Sequence, residues 1–275
     1  MDINQVLKQL DELFARHQIR EVEPFLLEKI EAARLLGDTG ALITLLNELI
    51  GHYRETGESE KSIAACKQVL ELMDQLELKG SVAYATTLLN VANACRAAGL
   101  LRESMIYYQE VKEIYGRELE SSDFRYASLY NNMSLLFQEM GDFDSACDCL
   151  ERALSVASLY EEARIEVAVT YTNLAASQLK IGRIAEAVDN LKKAFSIFEM
   201  DMERDYHYSG ALSAMGEAQY LLGNLEESAR YYKLALNEIE RNMGRNKAYE
   251  ITLQNLNAVT VKLRELPAQS GRFAN

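Results

Sequence analysis

Apolar residues recur along most of the chain at steps of three and four, which places their side chains on one face of an α-helix. Short polar segments that contain a glycine interrupt this pattern at regular intervals. The recurring glycines lie at steps of 42, 42, 41 and 41 residues: Gly57, Gly99, Gly141, Gly182 and Gly223. A constant period of this kind predicts an array of helix pairs, in which each pair packs mainly on its neighbours.

The residues around each glycine repeat as well. Before Gly141, for example, the chain reads Tyr130-x2-Met133-Ser134. After each glycine come a small residue, a bulky or thiol residue and a small or branched residue: Ser62/Cys66/Val69, Ser104/Tyr108/Val111, Ala146/Leu150/Ala153, Ala187/Leu191/Ala194 and Ser228/Tyr232/Ala235. The small residue lets the second helix of a pair approach the first closely, and the glycine permits the tight turn between them.

The pattern predicts an all-α fold of about six helix pairs followed by one unpaired helix that caps the open end. The predicted pairs span residues 2–36, 40–78, 82–116, 123–158, 161–200 and 205–241, and the last helix spans about 246–265. We expect one domain over residues 1–266 and a disordered tail over residues 267–275.

These motifs resemble the tetratricopeptide repeat, W-x2-L-G-x2-Y followed by A-x3-F. The segments TTLLNVANACRAAGLLRES, SLYNNMSLLFQEMGDFDSA and TYTNLAASQLKIGRIAEA are similar to the longer repeats of kinesin light chains. The resemblance covers about residues 40–265 and implies a right-handed superhelical solenoid with a concave groove. Two features depart from the pattern: the first aromatic is Tyr or Leu, and the proline that usually closes each unit is absent. The period exceeds the standard repeat by about two helical turns, so we expect longer helices.

Charge and composition narrow the function classes. The net charge is −13 and the pI is about 4.9, so the surface repels phosphate backbones and anionic membranes. We therefore expect neither nucleic-acid nor membrane partners. The N-terminal segment lacks the apolar core of a signal peptide, and no apolar run reaches the length of a membrane helix. These features favour a cytoplasmic protein whose thiols are reduced.

The sequence contains no recognisable catalytic motif. The three histidines lie in different units, and neither a zinc-protease motif nor a phosphate-binding glycine loop occurs. We expect no enzyme activity, no cofactor and no metal. Cys147 and Cys149 lie two apart on a predicted helix, which favours buried packing over a metal site. The tyrosine pairs 107–108 and 231–232 also favour packing, with ligand stacking as the alternative.

The most informative polar feature is a series of asparagines in the first helix of the pairs: Asn90, Asn132, Asn173 and Asn255. Ala214 interrupts the series once. Each asparagine directly precedes a predicted buried residue, so all of them share one side of the helix. In the families named above that side lines the concave groove, where asparagine ladders hold the backbone of an extended peptide. An amide both donates and accepts, which suits this role. The alternative is that these amides bond to neighbouring helices and only fix the register between units.

We extend the predicted peptide-binding groove to the polar residues near this series: Asn47, Asn93, Asn131, Arg54, Arg96, Gln138 and Lys180. Apolar anchors are expected to supply most of the affinity: Leu89, Leu135, Leu179 and Tyr220. A carboxylate clamp for chaperone tails is not expected, because the corresponding first-turn positions carry no Lys or Arg: Thr44, Thr86, Ser128, Val169 and Gly210.

The function that the resemblance favours is a non-catalytic adaptor or scaffold that binds a protein or peptide. Two alternatives remain from the sequence, namely a peptide-sensing regulatory receptor and an accessory subunit of an enzyme complex. The identity of the partner, the pathway and any self-association are left open by the sequence.

Overall fold

A computed structural model describes residues 1–16, 18–200 and 206–265. These residues form thirteen α-helices and one 3-10 turn, Glu161–Ala163, with no strand among them. The helices are α1 Ile3–Ala15, α2 Ile19–Leu36, α3 Thr39–Glu55, α4 Ser59–Gln75, α5 Val82–Ala97, α6 Leu101–Glu118, α7 Arg125–Met140, α8 Phe143–Ala157, α9 Arg164–Lys180, α10 Ile184–Phe198, α11 Tyr208–Leu221, α12 Leu225–Met243 and α13 Lys247–Glu265. The predicted all-α solenoid of six pairs and a final helix is confirmed. The predicted tail over residues 267–275 lies outside the described residues.

The chain divides into two compact units, unit 1 over Met1–Ser121 and unit 2 over Ser122–Asn275. In unit 1 the pairs α1–α2, α3–α4 and α5–α6 pack in sequence, and the first helix α3 also contacts the first helix α5. In unit 2 the pairs are α7–α8, α9–α10 and α11–α12, and α13 packs on α12. The extent of a single domain over residues 1–266 stays a prediction.

The helices within a pair are held close together by the small residue at the start of the second helix. In three pairs this residue is a buried serine whose Oγ donates to a carbonyl of the first helix: Ser62 to Ile50 at 3.2 Å, Ser104 to Ala92 at 2.9 Å and Ser228 to Gly216 at 2.7 Å. Two further pairs have fully buried Ala146 and Ala187 in the same place. The bond gives the buried hydroxyl a partner without adding bulk.

Bulky residues fill the space that remains between the helices. Tyr108 is fully buried, and the ring of Tyr232 fits so closely that a Cβ at Gly216 would lie 3.0 Å from it. The neighbouring Tyr231 stacks on Phe195 with ring centroids 6.3 Å apart and nearly parallel planes. Both tyrosine pairs therefore take part in packing, as the sequence indicated.

The glycines of the repeat form the turns inside the pairs. At Gly99 the backbone is left-handed, with a φ of 77°. Its N–H donates to the carbonyl of Arg96 at 2.9 Å, and the N–H of Leu100 donates to that of Cys95 at 2.8 Å, which closes the end of α5. A side chain at this φ is strained although space surrounds it.

The four cysteine side chains are buried. Burial raises the pKa of the Cys66 thiol to about 12, and those of Cys95 and Cys147 to about 11. Cys147 packs against Leu150 and Leu174, which confirms the packing interpretation. Among the described residues, no cluster of His, Cys, Asp and Glu has the arrangement of a metal site, and no helix combines the length and apolarity of a bilayer span.

Replacement of Gly99 by alanine is expected to lower the free energy of unfolding by about 1–2 kcal/mol, because it forces a Cβ into the left-handed region. Gly116 is the matched control, since it lies within α6, is exposed and has open space around it. Gly116→Ala should raise stability by about 0.5–1 kcal/mol. Thermal unfolding followed by circular dichroism measures both changes, and equal effects of the two variants would contradict the turn assignment.

The native chain is expected to react slowly with Ellman's reagent at pH 8. A thiol pKa of about 11 lowers the thiolate fraction at pH 8 about a hundredfold relative to an ordinary cysteine. Complete reaction should occur in guanidinium chloride, where burial is lost. Rapid native labelling of one cysteine, located by mass spectrometry, would show that this side chain is accessible.

Candidate functional site

The asparagines of unit 1 bond to each other across neighbouring first helices. Asn90 Nδ2 on α5 donates to Asn47 Oδ1 on α3 at 2.8 Å. Asn47 Nδ2 in turn donates to the backbone carbonyl of Ile43 at 2.9 Å and to Thr87 Oγ1 at 3.2 Å. In this unit the amides hold α3 in register with α5. This is the alternative to peptide binding that the sequence analysis left open.

Other predicted groove residues of unit 1 lie around one buried hydroxyl. Asn93 is 5% exposed and accepts a hydrogen bond from Tyr108 of α6, so it faces the inside of its own pair. The assignment of Asn93 to an open groove is corrected on this ground. Burial raises the pKa of Tyr108 to about 12, while Arg96 and Arg54 nearby act in the opposite direction. Both arginines are half-buried and lie near this interior hydroxyl.

In unit 2 three of the predicted asparagines line one cavity of about 470 Å³: Asn131, Asn132 and Asn173. We call this cavity the α7–α9 groove. Its other lining residues are Ser128 and Leu135 of α7, Ile165, Glu166, Val169 and Thr170 of α9, and Tyr206 and His207, which precede α11. The volume falls in the range of sites that hold a few side chains of a ligand.

Several amide groups in the α7–α9 groove have no hydrogen bond within the described part of the chain. The side chain of Asn173 has none, and Asn132 uses only Nδ2, which donates to the carbonyl of Ser128 at 2.8 Å. Asn131 accepts from Thr170 Oγ1 at 3.1 Å, and its NH2 group has no such bond. All three side chains are half-buried. The groove therefore presents both donors and acceptors to whatever occupies it.

The remaining predicted residues lie apart from this groove. Gln138 Nε2 donates to Ser177 Oγ at 2.8 Å, which joins α7 to α9. Lys180 forms an ion pair with Glu217 at 2.6 Å, and Asn255 is exposed on α13.

Of the four expected apolar anchors, only Leu135 lines the groove. Leu89 and Leu179 are buried in the helix stack and cannot serve as anchors, which corrects that expectation. Tyr220 is half-buried and lies beneath the ammonium of Lys262, 4.6 Å from its ring centroid.

Sequence reasoning missed a recurring contact between successive first helices. It joins the residue ten before one turn glycine to a threonine in the next first helix: Asn47–Thr87 at 3.2 Å, Asn131–Thr170 at 3.1 Å and Ser213–Thr252 at 3.3 Å. The signal in the sequence is a polar residue ten before the turn glycine, which occurs in four of the five units and is replaced by Leu89 in the other. These contacts fix the register within each unit.

The charged and aromatic residues of the α7–α9 groove were also missed. Glu166 lies in the first turn of α9. It is three residues before Val169, the position of this helix that was compared with the other units. Tyr206 and His207 precede α11, with ring centroids 3.8 Å apart. Neither position belongs to the repeat pattern, so periodicity could not identify them.

We expect replacement of an asparagine by alanine to affect stability differently in the two units. Asn47→Ala should lower the free energy of unfolding by about 1 kcal/mol, because it removes the bonds to Thr87 and Asn90. Asn173→Ala should leave stability unchanged or raise it by a few tenths of a kcal/mol, because it removes no internal hydrogen bond and alanine favours the helix. Guanidinium unfolding of both variants provides the comparison. A comparable loss in Asn173→Ala would mean that its amide also fixes the register.

Comparison with curated proteins finds a partial relative. A pentatricopeptide repeat-containing protein of Arabidopsis thaliana is 40% identical over 63 residues, which are 23% of this chain and 10% of that protein. The matched region is thus a tenth of the length of the relative.

Solved structures match over much more of the chain. RapI in its apo form has a TM-score of 0.70 at 16% identity, covering 95% of this chain and 72% of RapI. BtubC from P. vanneervenii has a TM-score of 0.65 at 16% identity, covering 94% of this chain and 96% of BtubC. A kinesin light chain of Podospora anserina with nearly identical TPR-like repeats has a TM-score of 0.51 at 17% identity, covering 80% of this chain and 95% of that one. At these identities the likeness concerns the fold.

The sequence model of the tetratricopeptide repeat matches residues 41–117 and 125–200, more than half of the chain. These two segments contain α3 to α6 and α7 to α10, the helix pairs whose turn glycines set the period. Sequence motif, helix pairing and structural likeness agree, and the chain belongs to the tetratricopeptide repeat family.

Proposed function

We propose that this protein is a non-catalytic adaptor or scaffold that holds an extended segment of a partner protein in the α7–α9 groove. The observation that supports the proposal most directly is that three asparagines line one cavity. Each of them has at least one amide oxygen or NH2 group without a hydrogen bond among the described residues. Tetratricopeptide repeat proteins are generally scaffolds without catalysis, in line with this role. The expected cytoplasmic location is part of the same proposal.

Asparagine amides suit an extended segment because each backbone unit offers one donor and one acceptor. Asn132 lies on α7 and Asn173 on α9, and both line the same cavity. A strand lying across the two helices can therefore donate to Asn132 Oδ1 while it exchanges both kinds of bond with Asn173. Recognition of this kind depends on the backbone and is independent of the partner's side chains.

Backbone bonds alone do not give useful affinity. Ordering one peptide residue costs about 1–2 kcal/mol, and each new hydrogen bond contributes about 1 kcal/mol net. The additional free energy comes from side chains of the partner that cover Leu135, Ile165 and Val169, at about 25 cal/mol per Å² of apolar surface. We expect affinities in the micromolar range, about 8 kcal/mol.

The double variant Asn132→Ala/Asn173→Ala tests the proposal. Peptides are first selected on the full chain from a phage-displayed random library, and the affinity of a selected peptide is then measured by fluorescence anisotropy. We expect about tenfold weaker binding by the double variant, from the loss of one to two hydrogen bonds. The fold should persist, because the only internal bond removed is the one from Asn132 to its own helix.

Asn257→Ala is the matched control, since Asn257 is an exposed asparagine within α13 and outside the groove. It should bind the selected peptide as tightly as the unmodified chain. Unchanged affinity in the double variant, with its helical signal intact, would remove these asparagines from the binding surface.

A further inference from the structure

We propose that the partner residue seated in the α7–α9 groove carries a basic side chain, arginine or lysine. The inference rests on the proposed function, because it names the chemistry of the segment that the groove holds. The partner is then a positively charged protein segment, which complements the charge and the apolar surface of the groove.

Among the residues that the structure describes, Glu166 is the only carboxylate that lines the groove, and none of them that lines it is a lysine or an arginine. Its side chain is exposed and forms no ion pair with any described residue. Some charged groups on the same unit are paired, such as Lys180 with Glu217 and Arg183 with Asp144, and Glu166 differs from the other unpaired carboxylates in lining the groove. Within the described part of the chain, the groove therefore has a negative charge that forms no ion pair and that a partner can neutralise.

The surface next to this carboxylate suits the stem of a long basic side chain. Ile165 and Val169 lie on α9 on either side of Glu166, and Leu135 faces the same cavity from α7. Arginine and lysine bury their methylene groups along apolar surface while the charged head reaches a polar group. An aspartate or glutamate would meet Glu166 without a compensating charge, and a short apolar residue would leave the carboxylate without a partner.

Charge acts at longer range as well. The net charge of −13 over the whole chain also favours the approach of a basic segment.

Glu166 also has a purely structural interpretation, because a carboxylate in the first turn of a helix interacts favourably with the helix dipole. Glu226 separates the two roles. It is exposed, lies in the first turn of α12, forms no ion pair within the described residues and does not line the groove. Charge reversal at the two positions should have the same small effect on helix stability and a different effect on binding.

The test uses the full chain and three proteins: the unmodified chain, Glu166→Lys and Glu226→Lys. Each is used to select peptides from the same phage-displayed random library, and the selected sequences are compared with the unselected library. We expect the unmodified chain and Glu226→Lys to enrich arginine or lysine at one peptide position. Glu166→Lys should lose this preference and enrich aspartate or glutamate there. A synthetic basic peptide from the first selection should bind Glu166→Lys about tenfold more weakly.

The possible failures are distinct. If the unmodified chain selects no peptides, groove binding itself is refuted, and this inference with it. If it selects peptides that lose affinity in the asparagine double variant but show no basic preference, groove binding stands and the assignment of a basic residue is overturned. That assignment is also overturned if Glu166→Lys and Glu226→Lys select the same sequences, because the carboxylate then serves only its helix.

Discussion

The short distance between the two helices of each pair is the constraint on which the rest of the structure depends. In the five pairs from α3–α4 to α11–α12 it is set by a small residue at the start of the second helix, either an alanine or a serine that bonds to a carbonyl of the first helix. At this distance the apolar stripes of both helices are covered by each other and by the adjoining pair. One side of the first helix is left for polar side chains, which either bond to the next first helix or line a cavity.

The same residue type has different roles on that side in the two units. Asn47 and Asn131 both lie ten residues before a turn glycine and both contact a threonine of the next first helix. In unit 1 the Oδ1 of Asn47 also accepts from Asn90, so the two amides bond to each other. In unit 2 the Oδ1 of Asn131 accepts from Thr170 instead, and Asn173 is left to the groove. Amides that bond to a neighbouring helix stabilise the register, whereas amide groups without such a bond at an open cavity are available to the proposed ligand.

The period of the chain was sufficient to predict the helix pairs. The pair predicted at 82–116 is observed as α5 and α6, Val82–Ala97 and Leu101–Glu118, because glycine spacing and apolar steps specify where helices turn and which face they bury. The predicted binding site stays a prediction, although its residues now have positions. Asn132 and Asn173 line one cavity, whereas the bond of Asn90 to Asn47 and the burial of Asn93 against Tyr108 depend on partners 43 and 15 residues away in sequence. The period predicts on which side of its helix a residue lies. It does not predict which atoms of a neighbouring helix that residue contacts.

The selectivity proposed for the α7–α9 groove would follow from the loss of water around Glu166 when a partner covers the groove. An exposed carboxylate in water is well solvated, and leaving it without an ion pair costs little. A partner that covers Ile165 and Val169 removes part of that water, and the loss is then compensated only by hydrogen bonds or by a positive charge. The carboxylate would contribute little attraction at long range in salt, yet it would reject segments that cannot compensate it at contact. The asparagines would bind any extended backbone equally, so discrimination between partners would depend on this one charge and the apolar surface beside it.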